Sequence, residues 1–191
     1  TWGLGLKLLP VSDDEIRTEV RTEDGRELSF QEYFVREHHD VAVSQIRFAG
    51  TDSAEAGPEV LSSIEQADLV VIAPSNPVVS IDPVLAVSGV RAAVTAARQR
   101  TIAISPIVGG AALKGPADRL LRELGHEVSV VGVARYYAEF ASTLMIDSVD
   151  ADLANQVEAA GMRCVVAPTV MSDRDSAAEL AACCIAAILP R

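Results

Sequence analysis

Five apolar residues in a row, Leu69-Val70-Val71-Ile72-Ala73, run without a polar break into Pro74-Ser75-Asn76-Pro77-Val78-Val79-Ser80-Ile81. A continuous aliphatic run of this kind is the pattern of a strand buried on both faces, as in a parallel sheet. Proline at 74 and again at 77 cannot extend the strand, and the Ser-Asn pair between them makes the segment stiff and polar, with a further hydroxyl at Ser80. Ligands of open α/β sheets sit at the carboxyl ends of strands. The segment from Pro74 to Ile81 is therefore a candidate anion-binding loop.

The same rhythm of strand, turn and helix repeats along the chain. Pro58 lies near the start of a helix reaching about Gln66, and Val90 to Arg98 reads as another. Thr101 to Ser105 reads as a strand, Pro106 to Gly115 as a loop, and Pro116 to Leu124 as a helix with proline in its first turn. Val128 to Val131 and Leu144 to Ile146 are short strand candidates. Asp150 is placed to cap a helix to about Ala160, Arg163 to Ala167 reads as a strand, and Asp173 begins the last helix. Ahead of all this, Ile16 to Thr22 and Arg26 to Phe30 form a hairpin about Glu23-Asp24-Gly25. Phe30 to Val35 reads as a short helix, and Val41 to Phe48 alternates as a strand. The expected architecture is α/β: a three-layer, Rossmann-like, mostly parallel sheet with helices on both faces and a small N-terminal hairpin section, in one domain over residues 1–191.

Composition narrows the function classes. Aromatic residues make up 4% of the 191 residues and apolar residues 49%, which suits small helices on a parallel sheet better than a β-sandwich. The net charge of −11 argues against a nucleic-acid partner, which depends on neutralised phosphates. No apolar stretch approaches the roughly 18 residues of a membrane span and no signal-like segment opens the chain, so no membrane partner and a cytoplasmic location are expected. Cys164, Cys183 and Cys184 show no metal spacing, and the adjacent pair reads as small apolar filling of a helix. His38, His39 and His126 likewise lack partners at ligand spacing.

A second loop follows the Thr101 strand: Ser105-Pro106-Ile107-Val108-Gly109-Gly110-Ala111-Ala112-Leu113-Lys114-Gly115-Pro116-Ala117-Asp118. Paired glycines let backbone N–H groups approach a ligand closely. Lys114 is one of only two lysines, with Lys7, in the chain, and it adds a full charge beside a helix start. The spacing is not that of a Walker A loop. If the two preceding strands are neighbours in one parallel sheet, both loops face the same space. Two readings stand on the residues alone: a joint phosphate site, or glycines and prolines that only end strands.

These two loops, together with Pro83, Leu9-Pro10-Val11-Ser12-Asp13-Asp14, Phe30-Gln31-Glu32-Tyr33-Phe34-Val35 and Pro168-Thr169-Val170-Met171, carry a resemblance. The chain resembles the 2-phospho-L-lactate transferase family of coenzyme F420 biosynthesis, nearly end to end. The resemblance implies transfer of a phospholactyl or phosphoenolpyruvyl group from a guanosine diphosphate-linked donor to the deazaflavin Fo, with release of GMP. It also implies magnesium as cofactor and a homodimer. On this reading Ser75, Asn76 and Ser80 donate hydrogen bonds to the donor phosphates, and Gly109, Gly110 and Lys114 cradle the other side. Ser75 as a covalent nucleophile is the alternative, without an evident activating base.

Members of that family begin with a strand and a Gly-Gly turn followed by an acidic stretch, and this sequence starts without them. The expectation is a carboxyl-terminal part of the catalytic domain, with catalytic residues, metal ligands and the acceptor half of the site elsewhere. Asp13, Asp14 and Asp118 are assigned solvated or capping roles rather than metal binding. A rival reading is a nonenzymatic regulator resembling the gluconeogenesis factor family, which binds nucleotide-linked ligands. Pro74-Ser75-Asn76-Pro77 and Ser105-Pro106-Ile107 favour the transferase.

Overall fold

The computed structural model describes residues 5–189. Its first unit is an antiparallel sheet. β1 (Arg17–Thr22) and β2 (Glu27–Ser29) form the expected hairpin, with Gly25 at φ 85° in its turn, and β3 (Val43–Ala49) pairs along the other edge of β1. Between β2 and β3 lies one π-helical turn, Glu32–Arg36, whose Tyr33 is fully buried. Val20, Leu28, Tyr33 and Val43 form the small core of this unit, closed by Leu120 from a later helix.

α1 (Val60–Gln66) leads into β4 (Val70–Ile72), then a π-helical turn Pro77–Ile81, α2 (Asp82–Leu85), α3 (Val90–Ala96) and β5 (Thr101–Ile104). A two-stranded hairpin of β6 (Ile107–Val108) and β7 (Ala111–Ala112) follows, then α4 (Ala117–Glu123) and α5 (Val130–Tyr137). β8 (Thr143–Ile146), a 3-10 turn Ser148–Leu153, α6 (Ala154–Ala159), β9 (Arg163–Val166) and α7 (Arg174–Ile188) complete the chain.

The main sheet is parallel, in the order β4-β5-β8-β9. β5 and β8 are buried along their whole length, but their side chains divide between two cores, as the two-residue period of a strand requires. Ala103, Leu144 and Ile146 face the larger core with Val90, Val94, Val133, Tyr137 and Val157, from α3, α5 and α6. Ile102, Ile104 and Met145 face the other side, where Leu180 and Cys184 of α7 cover them. Helices thus lie on both faces, as expected for the α/β reading, with unequal cover.

Several expectations shift locally. The Leu69 run gives a strand of only three residues at the edge of the sheet, and Val71 is 45% exposed rather than buried. Val128 to Val131 is not a strand: Ser129 accepts the backbone N–H groups of Val131 and Gly132, so the β-branched run opens α5 instead. Four residues, three of them valine, are too few to separate a strand from a buried helix turn by periodicity. The loop after β5 contains the β6–β7 hairpin. Asp150 caps no helix; Asp147 accepts the Val149 N–H at the start of the 3-10 turn, and Asp150 is used elsewhere. The last helix begins at Asp173 as expected, closed by a reciprocal capping box with Ser176. Of the adjacent cysteines only Cys184 fills core, while Cys183 is exposed. No single helix among the described residues is long and apolar enough to cross a membrane.

Candidate functional site

Because β4, β5, β8 and β9 run parallel, the segments after them emerge at one end of the sheet, and the register Val70↔Thr101 to Ile72↔Ala103 makes the first two immediate neighbours. A cavity of about 710 Å³ lies there, lined by residues after β4 (Pro74, Ser75, Asn76, Val79, Ser80), after β5 (Ser105, Pro106, Val108, Leu113 to Ala117) and after β9 (Thr169, Val170, Met171). Phe30 and Phe34 of the antiparallel unit complete its wall. Ser75, Asn76, Ser80 and Lys114 are thereby brought together around one space.

The segment after β4 is held by its own asparagine. Asn76 Oδ1 accepts the backbone N–H groups of Val78 at 3.0 Å and Val79 at 3.3 Å, which caps the π-helical turn and leaves the amide no freedom to flip. The Asn76 side-chain nitrogen is buried and has no hydrogen-bond partner. A fixed, desolvated NH₂ facing no acceptor costs free energy in the free protein and is recovered when a ligand supplies an acceptor. Ser80 N–H bonds back to the Asn76 carbonyl at 3.0 Å, so the same turn positions Ser80. The Ser75 hydroxyl has no hydrogen-bonded histidine or lysine among the described residues.

The segment after β5 is fixed differently. The Ser105 hydroxyl donates to the Ile107 carbonyl at 2.8 Å and accepts the Ile107 N–H, folding the chain into the hairpin. Gly109 and Gly110, at φ 59° and 80°, make the hairpin turn itself, where both central residues need the left-handed region. Neither glycine lines the cavity, and the Gly109 N–H is engaged by Asp150 Oδ2 at 2.9 Å. The hairpin instead delivers Lys114, whose ammonium is exposed and forms no ion pair among the described residues.

The third wall depends on Asp147 at the end of β8. Its Oδ2 accepts the backbone N–H of Thr169 at 2.8 Å and the Thr169 hydroxyl at 3.1 Å, so Thr169, Val170 and Met171 are pinned against the sheet. Burial acts to raise the Asp147 pKa, but the N–H groups of Thr169, Val149 and Ser148 and the Thr169 hydroxyl outweigh it and hold the carboxyl below its ordinary value. The sequence assigns no role to Asp147 and reads Asp150 as a helix cap, while Phe34 and Met171 stand only within segments that carry the resemblance. Only tertiary contact shows that the two carboxylates bind different loops, Asp147 the Thr169 segment and Asp150 the Gly109 turn.

No aspartate or glutamate lines the cavity, and among the described residues no group of three histidine, cysteine or carboxylate side chains could hold a metal. Asp14 accepts the Glu55 N–H at 2.9 Å and ties two loops, in keeping with a structural role; Asp13 and Asp118 also lie outside the lining. The cavity's charge is the positive one of Lys114, beside hydroxyls and an amide. It can receive a small anion carrying an apolar or aromatic group.

Comparison with known proteins agrees with this geometry. Residues 1–180 match the family model "2-phospho-L-lactate transferase CofD". The chain is 42% identical over 184 residues to a phosphoenolpyruvate transferase of Kitasatospora aureofaciens, covering 94% of this chain and 57% of that protein. It is 37% identical over 180 residues to a 2-phospho-L-lactate transferase of Methanosarcina acetivorans, covering 94% of this chain and 58% of that protein. The chain thus spans somewhat over half the length of these relatives. A solved Bacillus halodurans protein shares the fold at a TM-score of 0.61 and 17% identity, over 94% of this chain and 61% of that one. A match over 180 consecutive residues, taking in every segment that builds the cavity, decides the assignment: the chain belongs to the 2-phospho-L-lactate transferase CofD family.

Proposed function

We propose that the protein to which this chain belongs transfers a phospholactyl or phosphoenolpyruvyl group from a guanosine diphosphate-linked donor to the deazaflavin Fo, releasing GMP. The cavity at the strand ends binds the donor's phosphates. The observation that carries this reading is the locked Asn76 amide, whose oxygen is consumed by two backbone N–H groups and whose buried nitrogen has no partner in the protein. A phosphate oxygen is the acceptor it lacks, and Ser75, Ser80 and Lys114 line the same space with further donors and the compensating charge. Gly109 and Gly110 enter as the turn that sets the hairpin leading to Lys114.

Chemically, an acceptor hydroxyl attacks a diphosphate phosphorus, a P–O bond forms, the P–O bond to GMP breaks, and the hydroxyl proton passes to solvent. The chain's contribution is to align the diphosphate and offset the charge spreading over its oxygens, using groups already in position. With no hydrogen-bonded base at Ser75, direct transfer is favoured over a covalent serine intermediate.

Magnesium and a homodimer belong to the proposal for the whole protein. The described residues do not fit a magnesium ion, since the cavity lacks carboxylates, and no step is assigned to a metal here. The alternative is a nonenzymatic regulator that binds a nucleotide-linked ligand, and the likeness to the Bacillus halodurans protein at 17% identity speaks for the fold alone. The relatives' names, phosphoenolpyruvate transferase and 2-phospho-L-lactate transferase, favour the enzyme.

The test supplies the complete protein with magnesium, Fo and the donor. GMP is expected in a 1:1 ratio with phosphorylated deazaflavin, and no GMP at saturating substrates would sink the enzymatic reading. Lys114→Ala is expected to weaken donor binding measured by calorimetry, and unchanged affinity removes Lys114 from the site.

A further inference from the structure

The segment that carries Ser75, Asn76 and Ser80 has little polar attachment to the rest of the fold. After β4 its hydrogen bonds are mostly its own: Val78 and Val79 N–H donate to the Asn76 side chain, Ser80 and Ile81 N–H to the Asn76 carbonyl, and Ala86 N–H to the Asp82 carbonyl at 2.8 Å. Val78 and Leu85 are buried in the larger core. Apolar burial holds the turn down but has no direction, so it does not by itself set how the turn is rotated above the sheet.

One side chain supplies the direction. Asp82 follows the π-helical turn, and its N–H donates to the Pro77 carbonyl, so it closes the turn that Asn76 opens. Its side chain is absent from the lining of the donor cavity and lies instead on a second cavity of about 620 Å³, with Arg91, His126, Tyr136 and Phe140. There Asp82 Oδ2 accepts the Tyr136 hydroxyl of α5, and Oδ1 lies 3.7 Å from the Arg91 guanidinium of α3. Among the described residues, the Tyr136 bond is the one side-chain hydrogen bond between residues 74–86 and an element beyond them.

Both partners are themselves held. The His126 ring meets Tyr136 edge-on with centroids 4.9 Å apart, and Arg91 lies over the Phe140 ring and 3.5 Å from Glu139. The Asp82 side chain is only 19% exposed, and a hydrogen bond withdrawn from water in this way is strengthened. The charged groups of this second cavity are already paired, Arg91 with Asp82 and Glu139 and Arg135 with Glu127. The cluster therefore serves as a joint between the turn and two helices rather than as a receptor for a ligand.

We propose that Asp82 is a positioning residue for the donor site: through the Tyr136 hydroxyl, with Arg91 beside it, it fixes the turn on which the Asn76 amide and the Ser80 hydroxyl are mounted. The inference rests on the reading of the polar cavity as the donor-phosphate site. Small shifts of such a turn matter, because donors contribute only when they are already aligned with the phosphate oxygens.

GDP binding to the complete protein is measured by calorimetry, with circular dichroism showing that each variant is folded at the temperature used. Tyr136→Phe removes the hydroxyl but keeps the ring, and Asp82→Ala removes its acceptor. Each is expected to weaken GDP binding about fivefold, and the double variant no further than either alone. Asp82→Asn keeps an oxygen for the hydroxyl and is expected to stay within about twofold of the parent. In a Ser80→Ala background Tyr136→Phe is expected to cost less than it does alone, because the hydroxyl it displaces is already gone, whereas in a Lys114→Ala background it keeps its full cost. Unchanged GDP affinity in both Tyr136→Phe and Asp82→Ala overturns the positioning role. So does an equal cost in the two backgrounds, which marks a general loss of structure. Unchanged affinity in both Ser80→Ala and Lys114→Ala overturns the donor reading, and the positioning role with it.

Discussion

The Asp150 carboxylate accepts the backbone N–H of Gly109 at 2.9 Å, which joins the tip of the β6–β7 hairpin to the turn after β8. Asp150 is buried, so its charge is not solvated in compensation, and the tie spans segments 41 residues apart in sequence. Asp150→Ala leaves the Gly109 N–H unpaired and is expected to cost about 1–3 kcal/mol in urea unfolding. Hydrogen exchange at Gly109 is expected to quicken by a comparable factor. Unaltered exchange would show that the hairpin stands without the carboxylate.

Asp147 sets an acid limb of stability. Its folded pKa lies below the ordinary carboxylate value, so the ionised form is favoured by folding. The stability it contributes is complete above about pH 4, the unfolded value, and is lost as the pH falls through the lower folded value. Asp147→Asn is therefore expected to be less stable than the parent at pH 7, with the gap narrowing as the pH falls below about 4 and the parent's carboxylate protonates. Urea midpoints across this range measure it, and a gap independent of pH would contradict the role.

Asn76→Asp separates the two halves of the asparagine amide. A carboxylate oxygen still accepts from Val78 and Val79, so the turn is kept, while the second oxygen, buried without a donor, is expected to lower the thermal midpoint. The second oxygen replaces the NH₂ with a repulsive group, and GDP affinity is expected to fall about tenfold or more. Equal affinities in the two proteins would remove Asn76 from the phosphate site.

The adjacent cysteines of α7 are expected to react unequally. Cys183 is exposed, whereas Cys184 is 2% exposed against Met145, and burial pushes its thiol pKa up. A thiol reagent at neutral pH should label Cys183 in the native protein and reach Cys184 only on unfolding. Mass spectrometry of the labelled peptide reads the order, and simultaneous labelling would show that α7 does not cover the sheet.

Gly132 is required by close approach, since a Cβ there would lie 2.0 Å from the Glu127 carbonyl oxygen. Gly132→Ala forces the turn before α5 to move and is expected to cost about 1–3 kcal/mol. A thermal midpoint equal to the parent's would show that the turn yields freely.

Much of this arrangement is legible in the residues. The Asp-Gly turn of the first hairpin, the Asp173 start of α7 and the strand at Thr101 are local matters of turn chemistry, capping and apolar runs, and they occur where the sequence places them. The two polar segments after β4 and β5 are equally visible, because proline and glycine end strands wherever they stand. Their meeting in one cavity follows from parallel neighbours in a sheet. Structure and sequence part where a short apolar run or a carboxylate has more than one local use. Ser129 turned Val128 to Val131 into a helix start, and Asp150 bound Gly109 instead of capping a helix.

The sequence by itself determined the α/β rhythm, the polar segments at strand ends and the single cation Lys114 among glycines. Only the tertiary structure decided that Gly109 and Gly110 make a hairpin turn outside the cavity lining, that Asp147 and Asp150 hold two different loops, and that Phe34 lines the cavity from the turn between β2 and β3. The physical reason is range. Capping and turn geometry act over three or four residues, whereas the hydrogen bonds from Thr169 to Asp147 and the placing of Phe34 and Met171 around one cavity join segments whose proximity no local pattern encodes.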